Sequence, residues 1–202
     1  MSHKSRTLRL LCLHGMYQDA STFAGKIMPL RCDNMNVEFV CIDGPFTVVP
    51  PIVKRTKGER TRVVSSKTGI KNEFRAWWRQ QGPHQNDRCG SMYERNVLIS
   101  FLREKLAEAG NLDGVLGFSQ GASLAAWMCS EQARAELNWS PKLAVLIGSY
   151  LSSPLYSLDT GILPNMVSLH LFGANDYVIA ASKSQQVMNI FKDQEVGTAL
   201  KC

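Results

Sequence analysis

The chain has 202 residues, 45% of them apolar, which is enough for one well-buried core and too few for two ordinary domains, so a single domain over residues 1–202 is expected. The formal net charge of +6 comes from 23 basic against 17 acidic residues, and much of the excess lies in Lys54, Arg55, Lys57, Arg60, Arg62, Lys67 and Lys71. No zinc-finger spacing, aromatic RNA platform or recognition-helix pattern accompanies that cluster, so it reads as a solvated loop and no nucleic-acid partner is expected.

Leu8–Leu13 reads as a buried strand that runs directly into His14-Gly15, followed by a helix over residues 21–30 and a second strand at Val37–Ile42. The apolar run at the start is short and broken by Arg9, so neither a signal peptide nor a membrane span is expected. Residues 43–91 hold Pro45, Pro50, Pro51, the basic cluster, Phe74, Trp77 and Trp78, with no clean period of either kind. This segment reads as a long, lid-like irregular stretch, and long loops in compact domains tend to be functional. Trp77 and Trp78 either anchor the stretch on the core or line an acyl-binding wall. They join Tyr17 as the candidate substrate-binding residues.

Beyond that segment, Tyr93, Val97, Leu98, Phe101, Leu102 and Leu106 recur at helical spacing, and Gly110 suits a helix stop. Residues 112–116 form an apolar strand-like run, followed by Gly117-Phe118-Ser119-Gln120-Gly121 and a helical stretch over 122–135. Leu143–Ile147 and residues 167–172 supply two more strands, and residues 179–192 read as a helix with a tail to Cys202. Short apolar strands alternating with helices point to the α/β class, a mostly parallel sheet with helices on both faces. Cys12, Cys32, Cys41, Cys89, Cys129 and Cys202 show no metal-ligand spacing, so no metal or cofactor is expected, and a reducing, cytoplasmic setting fits best.

Gly117-Phe118-Ser119-Gln120-Gly121 sits between a strand and a helix, which makes it a candidate nucleophile elbow. Its glycines let strand and helix approach closely and lift the Ser119 hydroxyl out of the sheet. In such a site one oxyanion-hole amide comes from the residue after the nucleophile and the other from the loop after an early strand. Here those are Gln120 and Met16. Asp176, after Gly173-Ala174-Asn175, lies where a triad acid would sit, and its other reading is a turn aspartate capping the next helix. Asp43 and Asp113 are weaker acids by position. The base has no obvious owner: His14 reads as a brace for the oxyanion loop, His170 as a core histidine, His84 as a solvated residue or a substitute base, and His3 as a tail residue.

Leu10-Leu11-Cys12-Leu13-His14-Gly15, Val40-Cys41-Ile42-Asp43-Gly44-Pro45, Arg75-Ala76-Trp77-Trp78, Gly114 through Ala122, Ile147-Gly148-Ser149-Tyr150 and Leu169 through Asp176 follow one another in an order that resembles the FSH family of serine hydrolases. The resemblance spans nearly the whole chain. It implies an α/β-hydrolase fold, Ser119 as nucleophile, Asp176 as acid, no cofactor, and esterase or thioesterase activity on small-molecule acyl esters. Members of that family usually place a Gly-Gly-His stretch after one further strand, then a closing helix. No histidine follows His170 here, so the histidine loop and last helix are absent from the expected fold. Self-association through an uncovered C-terminal face follows as an expectation. A catalytically inactive scaffold that binds an acyl ligand or a protein partner is the alternative.

Overall fold

A run of leucines interrupted only by Arg9 and Cys12 makes β1 (Leu8–Leu13), whose last four residues are fully buried or nearly so. The computed structural model describes residues 6–30, 36–50, 74–79, 91–151, 156–192 and 199–201. Apolar side chains on both faces fit a strand that is covered from both sides. Around β1 lie β2 (Val37–Ile42), β5 (Gly114–Phe118), β6 (Leu143–Ile147), β7 (Val167–Leu171) and β8 (Ala199–Lys201), in the order β2-β1-β5-β6-β7-β8. Every pairing in this sheet is parallel. Their carboxyl ends therefore share one edge of the sheet, where ligand sites of open α/β sheets form.

The helices are α1 (Ala20–Ile27), α2 (Met92–Ala109), α3 (Gln120–Met128), α4 (Glu131–Leu137) and α5 (Ala181–Lys192). Phe23 and Ile27 of α1 pack with Leu10, Cys12 and Leu116 on one face of the sheet. On the other face Leu11, Leu13, Val115 and Leu146 meet Leu98 and Leu102 of α2, Leu124 of α3 and Val187 of α5. Opposite-face alternation along each strand produces these two cores. On the α1 side, Leu143, Val145 and Ile147 of β6 and Leu169 and Leu171 of β7 stay only half-buried, and Val167 is exposed.

Four expectations are corrected. The strand expected at 112–116 lies two residues later, because Asp113 is used as a tie: its carboxylate accepts the Arg9 amide at 3.0 Å and pairs with Arg6 at 2.6 Å, and the ladder to β1 starts only at Gly114. The single helix expected at 122–135 is two helices. Ser130 interrupts it, with extended backbone and a hydroxyl that accepts the Ala133 amide at 3.1 Å, while Cys129 gives its carbonyl to Leu163. Inside the stretch expected to be irregular, β3 (Phe46–Thr47) and β4 (Arg75–Ala76) pair antiparallel. The rest of that stretch from 51 to 73 and from 80 to 90, with the basic cluster and His84, lies outside the described residues. The expected tail contains β8, a sixth strand beside β7.

Candidate active site

Ser119 falls between the last residue of β5 and the first of α3, with φ 52° and ψ −116°. A positive φ at a residue with a side chain costs roughly 1–3 kcal/mol and persists only where the surroundings enforce it. Three contacts enforce it. The Ser119 amide donates to Ile147 of β6 at 2.8 Å, and its carbonyl accepts the Ser123 amide at 3.0 Å. A Cβ on Gly117 would meet the Gly121 carbonyl oxygen at 2.3 Å, so strand and helix touch backbone to backbone at the turn. The Ser119 hydroxyl, at a half-buried position, makes no capping bond with the helix it precedes.

Met16 lies in the loop that leaves β1, beside β5 in the sheet with Leu13 opposite Gly117. Adjacent strands stand about 4.8 Å apart, so the two loops begin as neighbours. A Cβ on Gly121 would sit 2.2 Å from the Leu13 carbonyl oxygen and 2.5 Å from that of His14, so the start of α3 is pressed onto the end of β1. The Met16 loop is closed by the Gln18 amide on the Gly15 carbonyl and by the Gly15 amide on the Gln18 carboxamide, both at 3.2 Å. Among the described residues, neither the Met16 nor the Gln120 amide donates to another group. An oxyanion hole requires two such unspent donors close to the nucleophile hydroxyl.

Asp176 follows β7, two strands from β5 and thus roughly 10 Å away at the same sheet edge. It is exposed, and one carboxylate oxygen accepts the Val178 and Ile179 amides at 2.8 and 2.9 Å. Those amides, Ile179 first, hold its carboxyl below the ordinary value. The turn reading is therefore realised, and among the described residues no hydrogen bond falls on the second carboxylate oxygen. Asp43 is spent on the Ala20 amide at 2.7 Å, and Asp113 lies at the opposite end of the sheet.

No histidine among the described residues reaches Ser119 as a base. The His14 ring is fully buried, its Nε2 accepts the Gly44 amide and its Nδ1 donates to the Gly15 carbonyl, each at 2.8 Å. These partners fix the neutral Nδ1–H form, and burial pushes its pKa below the ordinary value. It braces the loop. His170 is equally buried under α5, edge-on to Phe191, with Nε2 3.2 Å from the Ser168 hydroxyl and no partner for Nδ1 among the described residues.

Burial, helped by the Lys192 charge, lowers the His170 pKa from 6.5 to about 4. Because folding favours the neutral ring, its contribution is intact above about pH 6.5 and is lost as the pH falls toward 4, by on the order of 3 kcal/mol. Urea unfolding between pH 7 and pH 4.5 is expected to be measurably less steep in pH for His170→Leu. The slope is not abolished, because His14 titrates in the same direction. An unchanged slope would refute the buried neutral ring.

Trp77 and Trp78, expected as substrate-binding residues, are 0% and 1% exposed. That burial fits the anchoring role. The Trp78 ring stacks on Tyr156 at 4.9 Å, and the Trp77 indole N–H donates to the His14 carbonyl at 2.7 Å. Tyr17, half-buried with φ 62°, gives its amide to the Arg75 carbonyl at 3.0 Å. The side chain that sequence reasoning missed is that of Gln120. It is 1% exposed and bonds the backbone of both tryptophans. Only its place beside Ser119 marked it in the sequence.

A family model described as serine hydrolase (FSH1) matches residues 1–201. Esterase OVCA2 of Danio rerio is 29% identical over 197 residues, covering 94% of this chain and 86% of that protein. Among solved structures, the Bacillus cereus carboxylesterase superposes with a TM-score of 0.63 at 16% identity, over 96% of this chain and 78% of the other. Zea mays acyl-protein thioesterase 2 gives 0.58 at 16% identity, over 100% and 87%. At these identities the structural likeness establishes the α/β-hydrolase fold. Among the described residues no helix is long and apolar enough to cross a membrane.

Proposed function

The chain belongs to the serine hydrolase (FSH1) family, and on that premise we propose that it cleaves small or medium acyl esters or thioesters through an acyl-enzyme on Ser119. The observation that carries this reading is the strained Ser119 backbone at the β5–α3 turn, with its hydroxyl not used to cap α3. In the proposed reaction the Ser119 hydroxyl attacks the acyl carbonyl, the Met16 and Gln120 amides receive the developing oxyanion, and the alcohol or thiol leaves. Water then releases the acid. Asp176 would orient a histidine through the carboxylate oxygen that the turn leaves over. Esterase OVCA2 and the carboxylesterase and thioesterase folds above support the substrate class.

The second reading is a scaffold that binds an acyl ligand without turnover, and a specific observation favours it: both described histidines, His14 and His170, are buried and unable to serve Ser119. A serine hydrolase without its histidine loses on the order of 10⁶ in rate and keeps roughly 10³–10⁴ over water. Intact mass after exposure to a fluorophosphonate separates the two readings. The enzyme reading expects one adduct that disappears in Ser119→Ala and slows in His84→Ala if His84 supplies the base. A folded chain that takes no adduct supports the scaffold.

A further inference from the structure

The loop bearing Met16 and the turn bearing Gln120 are not hydrogen-bonded to each other directly among the described residues. They are joined through a third segment, residues 75–78. Arg75 donates its amide to the Gln18 carbonyl at 2.9 Å and accepts the Tyr17 amide at 3.0 Å, so this segment runs as a strand beside the Met16 loop. Trp77 hangs its indole N–H on the His14 carbonyl at 2.7 Å, and its ring lies 5.0 Å from the His14 ring. The Gln120 carboxamide closes the circuit from the other side. Its Oε1 accepts the Trp77 amide at 3.0 Å and its Nε2 donates to the Trp78 carbonyl at 2.9 Å.

We propose that the Gln120 side chain is a positioning residue for the oxyanion hole, clamping the strap of residues 75–78 and thereby setting the spacing between the Met16 and Gln120 amides. The inference rests on the Ser119 reading above. Its physical content is that Gln120 acts twice, through its backbone amide on the oxyanion and through its carboxamide on the strap that is hydrogen-bonded to the loop bearing Met16, the other donor. Only a group that accepts and donates at once satisfies both Trp77 and Trp78. A buried carboxamide with both bonds made is well suited to hold a position, because leaving either strap group unpaired is unfavourable.

The test is the rate of Ser119 phosphonylation by a fluorophosphonate in the parent chain, Gln120→Met and Gln120→Glu, with amide exchange at Tyr17 and Trp77 and the melting temperature measured alongside. Gln120→Met keeps the length and removes both bonds. Its labelling is expected to slow by roughly 10- to 100-fold while the chain stays folded, since displacing a catalytic group by about 1 Å has effects of that order. Tyr17 and Trp77 amides should exchange faster. Gln120→Glu supplies its own control: ionised, it cannot donate to Trp78, whereas protonated it again accepts and donates, so its labelling deficit relative to the parent should shrink as the pH is lowered from 8 to 5. A parent chain that labels, with Gln120→Met equally fast, overturns the positioning role and leaves the Ser119 reading standing. A folded parent chain that does not label overturns both.

Discussion

Arg95→Ala is expected to lower the unfolding free energy by about 3 kcal/mol, the lower end of the range for breaking a buried ion pair from one side. Arg95 rises from α2 into the core, where its side chain is 9% exposed and bonds Glu136 of α4 at 2.6 Å. Its guanidinium lies 5.6 Å from the Trp127 ring and 6.0 Å from that of Tyr156, and Tyr156 in turn meets Trp78. One cation thus ties α2, α3 and α4 to the loop of Tyr156 and the strap of Trp78. Truncation leaves Glu136 without its cation, opens a hole beside two rings, and forfeits cation–π attraction worth roughly 0.5–2 kcal/mol. Glu136 is 26% exposed and can rehydrate, which is why the lower end is expected. Arg95→Lys should recover less than half, because a compact, strongly hydrated ammonium cannot reproduce the broad, weakly hydrated guanidinium that lies near both rings. Urea unfolding followed by far-ultraviolet circular dichroism measures this, and a loss under about 1 kcal/mol would show that the hub is ornamental.

Gly121→Ala is expected to destabilise the chain by several kcal/mol and to suppress Ser119 phosphonylation, against the ordinary rule that alanine improves a helix by roughly 0.5–1 kcal/mol over glycine. The new Cβ would lie 2.2 Å from the Leu13 oxygen and 2.5 Å from that of His14. Both are backbone atoms, so no side chain can turn aside, and either α3 or the end of β1 must move. Gly25, within α1, provides the comparison: a Cβ there meets nothing within 4 Å, so Gly25→Ala should follow the rule and stabilise slightly. The pair of urea midpoints decides the matter. Equal effects at the two glycines would mean that the elbow is loosely packed and that the strain at Ser119 is not enforced by β1.

The sequence by itself determined the α/β alternation and the elbow. Both show in the local pattern: Leu8–Leu13 and Leu143–Ile147 are short apolar runs, and the glycines of Gly117-Phe118-Ser119-Gln120-Gly121 fall within five residues, although Gly121 meets its closest neighbours at the distant end of β1. The double role in one short motif was half legible, since the Gln120 amide follows from its place after Ser119 whereas its carboxamide bonds a residue 43 positions away. Residues 43–91 carried no period because the described parts are held by distant partners. Trp77 bonds His14 across 63 positions, and β4 finds β3 and Gln18 only once the sheet edge exists. The break at Ser130 and the late start of β5 had the same origin, as a hydroxyl cap and an aspartate tie overrode an unbroken apolar pattern. Only the tertiary structure decided that His14 and His170 are occupied and unavailable as bases, because the protonation and reach of a ring nitrogen depend on burial and on which amide or carbonyl faces it, and sequence spacing carries neither.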